Sequence, residues 1–183
     1  MTDSALIAAC RRQSPLAQRT LYERYAPVML GICRRYLRRR EDAEDVLLEG
    51  FFRIFSKIGQ YTGEGNFEGW MKRIMVNQCL MFLRKNDALR GALEIQHYDR
   101  PKPARVEGAL TETRILQLLD QLPEGYRTIF NLYVIEGYKH REIAEELGIS
   151  INTSKSQLIA ARKRMAELVT GEFGEDVRFY NEG

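Results

Sequence analysis

The residues able to do covalent chemistry are few and scattered. Only His97 and His140 occur in 183 residues, and Cys10, Cys33 and Cys79 are odd in number, widely spaced and free of any C-x-x-C pairing. Neither set has the spacing of a metal-ligand cluster or a disulfide framework, so the thiols are read as buried or idle. No GxSxG, HExxH or GxxxxGK followed by Ser or Thr occurs, and two histidines in unrelated segments make no convincing acid–base pair. The chain is therefore not read as an enzyme, and nothing calls for a cofactor or metal. What recurs instead is a chemistry of binding: cations, amides and apolar side chains at helical spacing.

Three such sets stand out. Between residues 67 and 85, Arg73, Asn77, Leu80 and Arg84 recur at i, i+4, i+7 and i+11, with Lys72 beside them and the loop YTGEGN at their start. This outward stripe could follow a phosphate backbone and read a base, or it could solubilise the outside of a bundle. Between residues 41 and 58, Leu48, Phe52 and Phe55 widen the apolar arc past one core face, bordered by Asp42, Asp45 and Glu49. An apolar centre with an acidic rim suits a protein partner with a basic surface, although a helix near Leu6 and Ile7 could cover it instead.

The third set is KHREIAEELGISINTSKSQLIAARKRM, residues 139 to 165, which has the helix-turn-helix pattern: a short helix, a three-residue turn with glycine, and a second helix. On the second helix the stripe Ile151, Ser154, Leu158, Ala161, Met165 and Leu168 faces inward. Asn152, Lys155, Ser156, Ile159 and Lys163 lie opposite, with Arg162 and Arg164 near the end. Polar residues at the front and cations behind suit a helix in a DNA major groove, and they equally suit a solvated helix face.

The elements that must position these sets are helical throughout. Apolar residues recur at i, i+3, i+4 and i+7 and never alternate at period two for long, so the fold class is all-α. Ser14-Pro15 opens a helix with inner residues Leu21, Tyr25, Val28, Ile32 and Tyr36, kinked or interrupted at Pro27. A second helix over 41–58 buries Ala43, Val46, Leu47, Gly50, Phe51 and Ile54. A third over 67–85 buries Phe67, Trp70, Met71, Ile74, Met81 and Phe82. The period fails over 86–109, which hold Pro101 and Pro103, and resumes at Leu110 with Ile115, Leu118, Leu119 and Leu122, then Tyr126, Ile129, Phe130 and Tyr133.

Two small helical domains, 1–87 and 110–170, joined by a flexible linker over 88–109 and followed by an acidic tail over 171–183, account for this order. About 20 linker residues can stretch to roughly 65 Å. That equals about 19 base pairs at about 3.4 Å each, so two DNA contacts could lie well apart on one duplex.

Composition excludes other classes. With 44% hydrophobic, 29% charged and 10% aromatic residues the chain falls outside the disordered, collagen-like and disulfide-rich groups. No run approaches 18 apolar residues and the start MTDSALIAACRRQ lacks the order of a signal peptide, so a cytoplasmic protein with no membrane contact is expected. The net charge of +3 hides a sorted distribution: nine arginines against two acids in the first 40 residues, then five acids and no base in residues 41–50.

Taken together, these motifs resemble the extracytoplasmic-function group of bacterial RNA polymerase sigma factors, over roughly residues 5 to 168. DAEDVLLEGFFRIF, residues 42–55, is similar to that family's region 2 helix. The resemblance implies docking on the polymerase clamp helices through Asp42, Asp45, Leu48, Glu49 and Phe52. YTGEGNFEGWMKRIMVNQCLMFLRK, residues 61–85, resembles the loop and helix that melt and read the minus-10 element. It implies an unpaired base captured by the 61–66 loop, with Gly63, Asn66, Trp70, Arg73, Asn77 and Arg84 in contact.

LPEGYRTIFNLYVIEGYKHREIAEELGIS and the helix after it resemble region 4, which reads the minus-35 element and touches the polymerase flap. The implied contacts there are Asn152, Thr153, Lys155, Ser156, Ile159, Arg162 and Lys163. Leu48 stands where many members carry glutamine, which makes the partner surface more apolar. Asn152 and Ala160 replace a common glycine and arginine. The resemblance implies core polymerase and promoter DNA as partners, with an anti-sigma factor as a further one. Rival readings are a dimeric repressor or activator acting through residues 139–168, and a helical adaptor that binds only protein. The first leaves the acidic, apolar face of the second helix without a job, and the second reduces the basic stripes to solvated decoration.

Overall fold

A computed structural model of the chain describes residues 2–85 and 112–173. Every element among them is helical. The chain divides into two units, the first ending at Lys85. The expected linker lies outside the described residues, as does His97.

In the first unit, α1 (Asp3–Arg11) starts where Thr2 Oγ1 accepts from the Ala5 amide. α2 (Pro15–Tyr36) is capped by Ser14, whose hydroxyl accepts from Ala17 N, with Pro15 in the first turn. Contrary to the expected break, α2 runs unbroken through Pro27. Pro27 and Glu23 are both exposed, so the Glu23 carbonyl left without a helical partner can be hydrated. Val28 is also exposed, and Met29 takes the inner position instead. The buried stripe is Leu21, Tyr25, Met29, Ile32 and Tyr36, a spacing that tracks the core face more closely.

α3 (Arg40–Lys57) buries the six residues expected of it and passes through a 3₁₀ turn, Ile58–Gln60, into the loop before α4. α4 (Phe67–Lys85) packs against both α2 and α3. Its buried arc is therefore wide: Phe67, Met71, Met75, Val76, Cys79, Leu80 and Leu83. This corrects the expected phase. Trp70, Ile74 and Phe82 are half-buried and Met81 is exposed, whereas Leu80, assigned to the outward stripe, is fully buried. All three cysteines are buried and none forms a disulfide.

The second unit contains α5 (Glu112–Asp120), α6 (Glu124–Phe130), α7 (His140–Leu147) and α8 (Ile151–Phe173). α6 continues into a π-helical segment, Asn131–Ile135, in which the Glu136 amide donates to the Asn131 carbonyl at 2.9 Å. Leu118, Leu119, Leu122, Met165, Leu168 and Val169 form the core, with Tyr126 and Phe130 packed on it. Ile115 and Ile151, both expected inside, are largely exposed because each lies near the start of its helix. Arg127 is buried and pairs with Asp120 at 3.0 Å. α8 continues to Phe173, past Gly171 where the tail was expected to begin.

Candidate functional site

Three surfaces carry the residues singled out by spacing. On α3, Asp42, Asp45, Leu48, Glu49 and Phe52 follow the i, i+3, i+4, i+7 rule and share one face. Leu48 is 58% and Phe52 72% exposed, while Val46, Leu47, Phe51 and Ile54 are buried on the opposite side. α1 packs on α2 and on the 3₁₀ turn and leaves both residues exposed, which disposes of the intrachain cover. Phe55 is half-buried beside Phe51, with ring centroids 6.0 Å apart. Asp45 and Glu49 are exposed and Asp42 half-buried.

The second surface begins at the loop between the 3₁₀ turn and α4. Gly63 and Gly65 adopt φ of 86° and 78°, a region that side chains rarely enter, so the chain folds back tightly there. The Tyr61 hydroxyl donates to the Gly65 carbonyl at 2.8 Å and closes the loop. Asn66 Oδ1 accepts from the Glu68 amide at 2.9 Å, so this expected base contact serves first as the cap of α4. Behind the loop, Phe67 and Trp70 stack with centroids 5.7 Å apart, and the Tyr61 ring lies 5.0 Å from Phe67 and 5.5 Å from Trp70.

Along α4 the outward stripe is reduced to Arg73, Asn77 and Arg84. Arg73 and Arg84 are exposed; Arg84 also donates to the Leu80 carbonyl. Lys72 is tied to Glu68 at 2.7 Å. Asn77 is half-buried, and its Oδ1 is a buried acceptor with no hydrogen-bond donor.

On α8, Asn152, Lys155, Ser156, Ile159, Arg162 and Lys163 are all exposed, and Thr153 is half-buried. Ser150 caps the helix by accepting from Thr153 N at 2.9 Å, and its hydroxyl also meets the Thr153 hydroxyl at 2.8 Å. The Ser156 hydroxyl donates back to the Thr153 carbonyl at 3.1 Å. Ile159 is 70% exposed among these polar neighbours, an apolar spot of the kind that meets a thymine methyl. Arg164 is not on this face: its guanidinium is half-buried and pairs with Glu167 at 3.1 Å.

Spacing alone missed several partners. Arg11 donates to the carbonyls of Ile58 and Tyr61. Tyr133, His140 and Ser154 form a contact set behind the exposed face of α8. Both assemblies join residues from different segments of the chain, which no period within one helix can report. Among the described residues, no cluster of His, Cys, Asp or Glu could hold a metal ion.

Residues 21–89 match the Sigma-70 region 2 family and residues 112–165 match Sigma-70, region 4. ECF RNA polymerase sigma factor SigM of Mycobacterium tuberculosis is 30% identical over 169 residues, covering 92% of this chain and 85% of that protein. The chain belongs to the ECF RNA polymerase sigma factors. A longer relative, ECF RNA polymerase sigma factor SigE of Mycolicibacterium smegmatis, is 28% identical over 161 residues, which are 85% of this sigma factor and 62% of SigE.

The fold agrees with that of the sigma factor RpoE from Bartonella quintana, solved with the anti-sigma factor NepR. The TM-score is 0.53 at 20% identity, covering 83% of this chain and 96% of the other. The family matches make this chain a promoter-recognising RNA polymerase sigma factor. No helix among its described residues is long and apolar enough to cross a membrane.

Proposed function

We propose that this sigma factor divides its task among the three surfaces. The α3 face grips the clamp helices of core polymerase, with Leu48 and Phe52 at the buried centre and Asp42, Asp45 and Glu49 as an acidic rim. The observation that carries this assignment is the exposure of two large apolar side chains on a helix whose other large apolar residues are buried or half-buried. Burying side chains of this size supplies about 1.5–3 kcal/mol each. The acidic rim speeds encounter more than it tightens the complex.

The loop and α4 capture an unpaired base of the minus-10 element. Flipping a base costs a few kcal/mol of unstacking. The loop shaped by Gly63 and closed by Tyr61, with Asn66 and Trp70 beside it, is held in one conformation before the base arrives, which lowers this cost. Arg73 and Arg84 follow the strand, with Asn77 between them on the same stripe. α8 enters the minus-35 groove with Asn152, Thr153, Lys155, Ser156 and Ile159 toward bases and Arg162 and Lys163 toward phosphates.

The flap of the polymerase contacts the second unit, and an anti-sigma factor competes for the exposed apolar face of α3. The protein acts in the cytoplasm. Its net charge of +3 fits a subunit that shares phosphate contacts with the enzyme and binds duplex weakly on its own.

The test is reconstitution. Purified protein added to core polymerase directs transcripts from a defined set of promoters on a fragmented genomic template. Lys155→Ala weakens dependence on the minus-35 element, and Asn77→Ala impairs opening. Equal loss of core affinity in both variants overturns the division of labour.

A further inference from the structure

Ser154 is the anomaly of the helix-turn-helix. It occupies the inner stripe of α8 with Leu158, Ala161 and Met165, and it is 0% exposed. A hydroxyl buried without a partner is costly, so what it bonds to constrains how α8 is rotated. Its oxygen lies 2.9 Å from His140 Nδ1, at the first residue of α7. The His140 ring in turn stacks on Tyr133 of the π-helical segment, with centroids 4.5 Å apart and planes at 27°. Tyr133 also carries the guanidinium of Arg162, whose central carbon lies 5.6 Å from the ring centroid.

One imidazole therefore links three elements: the π-helical segment through its ring face, α7 through its backbone, and α8 through Nδ1. Arg162 returns from the exposed face of α8 to the same aromatic ring. The groups facing His140 from α8 are Lys155 and Arg162, two of the residues assigned to DNA, and Tyr133 faces it from the π-helical segment.

We propose that His140 is a positioning residue for promoter recognition: through its Nδ1 bond to Ser154 it fixes the rotation of α8, and so the direction in which Lys155, Ser156 and Ile159 are presented. The inference rests on the reading of α8 as the minus-35 helix. The contact works at one remove from DNA, since Ser154 is buried and touches no base.

Phenylalanine at 140 retains the ring over Tyr133 and removes the nitrogen. Asparagine places a polar atom where Nδ1 stood and removes most of the ring. Holoenzyme reconstituted with each full-length variant is compared on promoters with intact and scrambled minus-35 elements. His140→Phe and Ser154→Ala each lower the preference for the intact element about fivefold, the scale of one lost buried hydrogen bond. The double variant loses no more than either single one, because both break the same link. His140→Asn restores most of the preference. Thermal unfolding midpoints and core affinity are measured on every variant, and a loss of preference that merely follows the midpoint overturns the proposal.

Full preference in His140→Phe overturns it as well, as does a His140→Asn variant no better than His140→Phe. Lys155→Ala separates the two levels. If it leaves the preference intact, the assignment of α8 fails and takes this inference with it. If Lys155→Ala loses the preference and His140→Phe does not, the positioning role alone is overturned.

Discussion

The guanidinium of Arg11, in the last turn of α1, donates to the backbone carbonyl of Tyr61 fifty residues later, and its Nε donates to the Ile58 carbonyl at 3.3 Å. Tyr61 then closes the glycine loop through its hydroxyl on Gly65. A chain of two links thus runs from α1 to the loop proposed to hold a flipped base. In this geometry α1 is tied to the base of the loop and does not cover the α3 face.

Arg11→Met keeps the aliphatic stem and removes both donors. Because the side chain is largely exposed, the stability lost is about 1 kcal/mol, below the range for charged hydrogen bonds in dry sites. The larger effect falls on promoter opening, followed by a fluorescent adenine analogue in the minus-10 strand. Opening slows severalfold while affinity for core polymerase is unchanged; an equal fall in core affinity would refute the brace.

Phe52→Ala separates binding from folding on α3. The side chain is 72% exposed, so its removal leaves the unfolding free energy within about 0.5 kcal/mol of the parent, as for ordinary surface changes. Core affinity, measured by competition with the parent protein, falls by at least about 2 kcal/mol, some thirtyfold, as for a central interface anchor. A variant that binds core normally places the clamp contact elsewhere.

Gly50 supports the same unit from within. A Cβ built on it falls on the sulfur and terminal methyl of Met75, which is fully buried where α3 crosses α4. Met75 is flexible but has no empty space to enter in a close-packed core. Gly50→Ala therefore costs about 1–3 kcal/mol in chemical denaturation, and pairing it with Met75→Val recovers part of that loss. Additive losses in the double variant would show that the two sites do not press on each other.

What the sequence disclosed and what it hid follow one rule. The inner residues of α3 and the outer residues of α8 are legible because each set obeys a single helical period on a helix with one dominant neighbour. Leu80 and Met81 are misplaced by the same reasoning, since α4 lies against two helices and its buried arc is wider than one stripe. Val28 is misplaced because Pro27 suggested a break where the helix simply continues. The family motifs reveal the surfaces, but the supports behind them, Arg11 on Tyr61 and His140 on Ser154, depend on contacts between residues 50 and 14 positions apart in sequence. The π-helical segment that presents Tyr133 has no compositional mark at all.

The last expectation concerns acid. Burial, and then the nearby charges of Lys155 and Arg162, hold His140 below the usual imidazole value of 6.5. The folded chain thus binds fewer protons at this site than the unfolded chain does at pH values between the lowered value and 6.5. Stability rises with pH wherever the unfolded state holds more protons. The contribution is complete above about pH 7.5 and is lost as pH falls through 6.5 toward the folded value. The unfolding midpoint of the full chain should therefore drop more steeply between pH 7.5 and 5.5 than that of His140→Asn, which carries no titrating group there. Parallel curves for the two proteins would show that the imidazole titrates alike in both states and is not held neutral by the fold.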